Sequence, residues 1–155
     1  TDDYINYLHQ FDEKVCFDKH EKRPYIGIVL QIGDLKYYAP FTSPKQKHAN
    51  MKNTIDFRKI GNGNYGAILL NNMIPVIDEA LIEVDINSIQ DYKYRRLLQN
   101  QYIELNNDFE IIQKNASKIR TIAFLDESKL TSHQRIIKNR ICNLKLLEEK
   151  YKEYK

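Results

Sequence analysis

The sequence predicts an α+β protein: a small antiparallel β-barrel or half-barrel wrapped by helices, with a helical C-terminal half. Three observations predict it. Residues 25–77 carry short apolar, β-branched runs separated by Gly-Asp, Thr-Ser-Pro and Gly-Asn-Gly-Asn punctuation. Residues 91–153 place apolar side chains at helical spacing. The chain has 155 residues, with no internal repeat, low-complexity tract or linker, which makes residues 1–155 a single domain.

Tyr4, Tyr7, Leu8 and Phe11 stand at i, i+3, i+4, i+7 behind Asp2 and Asp3, which predicts a short helix over 2–13. Residues 14–23 have no period and read as a loop. Residues 25–32 and 35–41 flank Gly33-Asp34 and predict a hairpin. Pro44 ends the second strand, because it lacks an N–H and holds Ser43 extended. Residues 46–56 are a polar connection. Residues 57–60 and 65–70 flank Gly61-Asn62-Gly63-Asn64 and predict a second hairpin. Residues 73–77 read as a short edge strand, limited by Pro75. Helices are expected over 91–113, over 115–125 after a break at Asn115, and over 133–153.

Apolar residues make up 42% and charged residues 29%, a soluble globular composition that excludes a disordered chain. No apolar run approaches the ~20 residues needed to cross a bilayer. Nothing at the start reads as a secretory signal, so a cytoplasmic protein without a membrane partner is expected. Cys16 and Cys142 stand far apart and are expected to be reduced thiols. His9, His20, His48 and His133 are scattered, so no metal site is expected.

The net charge of +3 is unevenly spread. Residues 1–35 carry −3, residues 36–59 carry +5, residues 60–113 carry −5 and residues 114–155 carry +6. Clustered positive charge attracts phosphates. The later block can also be a solvated helix face. The earlier one holds a single acid, Asp56, and is interleaved with Tyr37, Tyr38, Phe41, His48 and Phe57. Rings beside cations suit a single nucleic-acid strand, whose bases can stack.

Gly61-Asn62-Gly63-Asn64-Tyr65-Gly66 has the letters of a dinucleotide fingerprint. That fingerprint works by opening a helix at its third glycine. Here a strand pattern follows, so a hairpin turn is expected and no nucleotide cofactor. The more telling group is at the other strand end. Thr42, Ser43 and Lys45 emerge together, with Lys47, His48 and Lys52 just beyond and Pro44 stiffening the backbone. Two hydroxyls and several cations form a compact donor set for an anionic oxygen.

Phe41-Thr42-Ser43-Pro44-Lys45, preceded by Tyr25-Ile26-Gly27-Ile28-Val29-Leu30 and followed by His48-Ala49-Asn50, resembles the endoribonuclease toxins of type III toxin–antitoxin systems, the ToxN/AbiQ family. Asn71-Asn72-Met73-Ile74-Pro75-Val76 and Leu147-Glu148-Glu149-Lys150-Tyr151 fit as well, so the resemblance spans nearly the whole chain, nearest to the phage-resistance branch. It implies a fold similar to MazF/Kid toxins. It implies a metal-independent ribonuclease that protects against phage by abortive infection. It implies a small repeated pseudoknot RNA as antitoxin, cellular or phage RNA as substrate, and an oligomer formed with the antitoxin. The family's catalytic groups fall on Thr42, Ser43 and Lys45. Its RNA-binding groups fall on Tyr4 and Arg23, to which the basic stretch adds Lys47, His48 and Lys52. The expected reaction is attack of a ribose 2′-OH on its own 3′-phosphate. A non-catalytic RNA-binding module, and a MazF-like ribonuclease with a protein antitoxin, are the alternatives.

Overall fold

The structure, a computed structural model, describes residues 1–16 and 26–155. Among them, five strands form one antiparallel sheet, β1 (Gly27–Ile32), β2 (Leu35–Thr42), β3 (Phe57–Lys59), β4 (Ala67–Leu69) and β5 (Ile74–Val76). The first hairpin forms as expected, with Ile32 opposite Leu35 across Gly33-Asp34. β2 is the central strand. It pairs with β1 along one edge, and with β5 and then β4 along the other. The sheet runs β1-β2-β4-β3 and stays open, because among the described residues no ladder joins β3 back to β1. The expected barrel is therefore corrected to an open sheet: three-residue β3, β4 and β5 are too short to curl round and close.

Helix α1 (Asp2–His9) buries Tyr4, Ile5 and Leu8, and packs against the C-terminal end of the chain. The Tyr4 and Tyr7 rings lie 5.0 and 5.1 Å from the Tyr154 ring, and the Tyr7 hydroxyl donates to the Lys150 carbonyl. Several tyrosines thus serve packing rather than base stacking.

The expected break at Asn115 does not occur, and α2 (Tyr92–Phe124) runs unbroken for 33 residues. An asparagine inside a helix costs only about 0.7 kcal/mol relative to alanine. Burial of Ile112, Ala116, Ile119 and Ile122 on one face outweighs it. The expected single helix over 133–153 is two, α3 (Ser132–Arg140) and α4 (Leu144–Lys150). Ile141 and Cys142 turn into the core, the Cys142 N–H donates to the Asn71 carbonyl, and Asn143 caps α4 through the Leu146 N–H. Cys16 and Cys142 are both outside disulfides, and burial raises the Cys142 pKa. None of the described helices is long and apolar enough to cross a membrane.

One polar knot ties β2 to α2 and α4. Tyr37 is 0% exposed and donates its hydroxyl to the Glu148 carboxylate. Arg120 donates from Nε to Tyr37 at 2.7 Å and from Nη2 to Glu148 at 2.8 Å. Burial, then the bond to Glu148, raises the Tyr37 pKa, while Glu148 holds Arg120 firmly protonated. Glu148→Ala leaves a buried hydroxyl and a guanidinium without their partner, and is expected to cost about 3 kcal/mol in urea unfolding. A loss under about 1 kcal/mol would contradict this reading of the knot.

Candidate active site

β2 is held on both edges up to its last residues. Phe41 and Thr42 pair with Ile68 and Ala67 of β4, and the Phe41 N–H donates to the Ile26 carbonyl at 2.9 Å. The strand stops at Thr42, where Ser43 and Pro44 turn the chain out to solvent. Ser43, Lys45, Lys47 and Lys52 are exposed and Thr42 is half-buried. Among the described residues, no carboxylate pairs with the ammonium groups of Lys45, Lys47 or Lys52.

The Gly61–Gly66 turn braces this end from behind. Gly66 has φ +96°, and a Cβ there would lie 2.1 Å from the Thr42 carbonyl oxygen. A Cβ on Gly63 would lie 3.2 Å from the Cβ of His48. The glycine-rich letters therefore serve close backbone approach to the Thr42 and His48 segments. As expected of a hairpin, β4 rather than a helix follows them.

His48 is 1% exposed and does not reach solvent, which corrects its expected role as an RNA contact. Its backbone N–H donates to the Lys45 carbonyl at 2.9 Å, and its Nδ1 accepts from the Lys45 N–H at 3.3 Å. Its ring packs on Phe57, with centroids 5.7 Å apart. Burial first, then the Lys45 and Lys47 charges, lowers its pKa. A neutral ring with its proton on Nε2 fits these bonds. His48 fixes the backbone from which Lys45 projects, across one 3-10 turn (Gln46–Ala49).

Tyr4 is also corrected. It is 1% exposed, and its hydroxyl donates to the Pro75 carbonyl at 2.7 Å, so it anchors α1 to β5. Arg23 lies outside the described residues. Tyr37, which flanks the basic stretch in sequence, is not a stacking platform, since it is buried in the polar knot, while Tyr38 is half-buried.

The charge blocks divide as well. Lys36 pairs with Asp78, and Arg58 with Asp108. In the later block Arg120 pairs with Glu148, Arg140 with Asp56 and Lys150 with Glu153. Among the described residues, Lys45, Lys47 and Lys52 beyond the end of β2, and Lys59 at the end of β3, have no carboxylate partner. Among the described residues, no cluster of three or more His, Cys, Asp or Glu side chains could hold a metal.

Residues 1–152 match the family described as Toxin ToxN, type III toxin–antitoxin system. The chain is 32% identical over 157 residues to the Endoribonuclease ToxN of Bacillus thuringiensis subsp. kurstaki, covering 99% of this chain and 80% of that protein. It is 36% identical over 164 residues to the Endoribonuclease ToxN of Pectobacterium atrosepticum, covering 97% and 88%. It is 29% identical over 168 residues to the Endoribonuclease AbiQ of Lactococcus lactis subsp. lactis, covering 97% and 84%. A solved structure concerning selective toxin inhibition by a non-coding RNA pseudoknot matches with a TM-score of 0.81 at 29% identity, covering 98% of this chain and 92% of that one. Another, concerning a processed non-coding RNA that regulates a bacterial antiviral system, matches with a TM-score of 0.78 at 31% identity, covering 98% and 94%.

Gly66→Ala is expected to lower unfolding stability by more than about 1 kcal/mol, since it adds both a clash and a strained φ. A neutral effect would mean that the turn does not abut Thr42. His48 gives a pH signature. In the unfolded chain its imidazole titrates near 6.5, and in the fold it titrates lower. The unfolded state therefore takes up the proton more readily, and the stability that His48 contributes is lost as pH falls below that value. The stability difference between the wild type and His48→Asn should shrink from about pH 7 to about pH 5 in urea titrations. A constant difference would contradict this assignment.

Proposed function

The chain belongs to the ToxN family of type III toxin–antitoxin systems, and we propose that the end of β2 is the place where it cleaves RNA. The chain is an endoribonuclease toxin. Its relatives carry that name, and the solved structures it matches concern inhibition by a pseudoknot RNA, so its antitoxin is an RNA of that kind. A further match, at a TM-score of 0.74 and 30% identity over 99% of this chain and 93% of that one, is AbiQ, described as a lactococcal anti-phage endoribonuclease. Defence against phage follows from that likeness. We place its action in the cytoplasm, where both kinds of RNA reside.

The reading rests on one observation: Ser43 and Lys45, which has no carboxylate partner among the described residues, stand exposed beside Thr42, on a backbone fixed by Pro44, Gly66 and His48. The proposed reaction is attack of a ribose 2′-OH on the adjacent phosphorus. The P–O5′ bond breaks, leaving a 2′,3′-cyclic phosphate and a 5′-OH. The nucleophile is part of the substrate, so the protein supplies alignment and charge. Lys45 neutralises a nonbridging oxygen as negative charge builds on it, and Ser43 and Thr42 donate hydrogen bonds that orient the phosphate. Lys47 and Lys52 extend the attraction along the strand. His48 acts through Lys45 and does not touch the RNA.

Ser43→Ala and Lys45→Ala should each lower cleavage by about 10²–10³ with unchanged thermal melting, since both side chains are exposed. The ends, mapped by sensitivity to phosphatase and kinase, should be 2′,3′-cyclic phosphate and 5′-OH, and EDTA should leave the rate unchanged. Full activity in both variants would remove this site. A variant that only binds RNA less tightly, in a wild type that cuts none, would make the protein a binding module. Binding should also weaken with salt, with a slope of about −0.7 per phosphate contacted.

A further inference from the structure

The backbone that aims Lys45 is held by a titratable group. Lys45 stands at the N-cap of the 3-10 turn Gln46–Ala49, with extended φ −132° and ψ 144°. Its N–H donates to Nδ1 of His48 at 3.3 Å, and its carbonyl accepts the His48 N–H at 2.9 Å. The two bonds close a reciprocal cap, with an imidazole at the position where glutamate or glutamine is usual. Glutamine would accept at every pH. An imidazole accepts only while it is neutral, since both ring nitrogens are donors once it is protonated.

The surroundings oppose the charged form. On its own turn the ionisable neighbours are Lys45 and Lys47, whose charges add to burial in lowering the ring's pKa. From β3, the Phe57 ring packs on it. The ionisable residues on either side of Phe57 are engaged elsewhere, Asp56 with Arg140 and Arg58 with Asp108. From the glycine turn, Gly63 abuts the His48 Cβ, and residues 61–64 carry no ionisable side chain. Among the described residues, no carboxylate pairs with the ring to offset a gained proton.

We infer that acid switches cleavage off through His48: a proton on Nδ1 removes the acceptor of the Lys45 N–H, the reciprocal cap opens, and Lys45 loses its aim. Two hydrogens then face each other across the gap that held the bond, and a buried imidazolium stands beside two ammonium groups. Lys45 keeps its own charge throughout. The phosphate is still attracted, but its nonbridging oxygen is no longer met as charge builds on it. His48 is thus a positioning residue, and its neutral ring is the active state. Because the ring titrates lower in the fold than the ordinary value near 6.5, the toxin is fully active at neutral pH and loses activity only on the acid side of that value. This regulation rests on the ribonuclease reading above.

The test follows RNA cleavage by the full chain as a function of pH, beside His48→Asn and His48→Leu. Asparagine sets a carbonyl oxygen where Nδ1 stands and does not titrate, whereas leucine fills the space and accepts nothing. At neutral pH, His48→Leu should lose about tenfold or more in kcat with KM little changed, and His48→Asn should restore most of that loss. The pH dependence of the chemistry itself cancels in the ratio of wild type to His48→Asn. That ratio should be level above about pH 7 and fall on the acid side of about pH 6.5, approaching about tenfold per pH unit. Its midpoint should coincide with the titration of the His48 ring read by NMR. Circular dichroism confines the comparison to pH values at which both proteins are folded. A ratio that stays level over that range overturns the inference, as does a midpoint apart from the His48 titration, and both outcomes stand even where His48→Leu fails to fold. A folded His48→Leu with the wild-type kcat also overturns it. Absence of cleavage by the wild type at every pH strikes the ribonuclease reading instead, so the two failures are distinguishable.

Discussion

The close approach of Gly66 to the Thr42 carbonyl is the constraint on which the rest of the site depends. It lets a tight turn sit directly behind the last paired residue of β2. That residue is held in turn by β4 on one edge, and Phe41 just before it is held by the Ile26 carbonyl on the other. A strand end fixed this firmly can send the next residues into solvent without losing their direction. Pro44 and the Lys45–His48 bonds carry the rigidity a few residues further. Electrostatic stabilisation of a developing charge is effective when the donors are already aimed, and this arrangement aims them.

Charge alone would not have located the site. Part of the positive excess in two blocks of sequence is taken up within the fold. Arg58, Arg120 and Arg140 join separate elements through carboxylates, and Lys36 pairs across to Asp78. On the segment beyond Thr42, Lys45, Lys47 and Lys52 have no carboxylate partner among the described residues.

Much of this was legible in the sequence. Turn chemistry fixed both hairpins, and the Thr-Ser-Pro-Lys run marked the strand end, because glycine, proline and hydroxyl residues act through local backbone geometry. What was not legible depended on contacts between distant residues. Asn115 looked like a break until burial of its neighbours is counted. The late helix split because Cys142 finds the Asn71 carbonyl, 71 positions earlier. Tyr4 and His48 carry functional-looking chemistry, yet packing turns both into supports. The i,i+3 spacing of Lys45 and His48 was the one available hint of their mutual bonds.

The central claim is that the Lys45 ammonium meets a nonbridging oxygen of the linkage being cut. Single-turnover cleavage of RNA carrying a single Rp or Sp phosphorothioate at that linkage tests it most directly. Sulfur accepts hydrogen bonds poorly, so one diastereomer should react more slowly in the wild type, and the two should converge in the residual activity of Lys45→Ala. Equal rates for both diastereomers in the wild type, or a difference that survives removal of the lysine, would contradict the account.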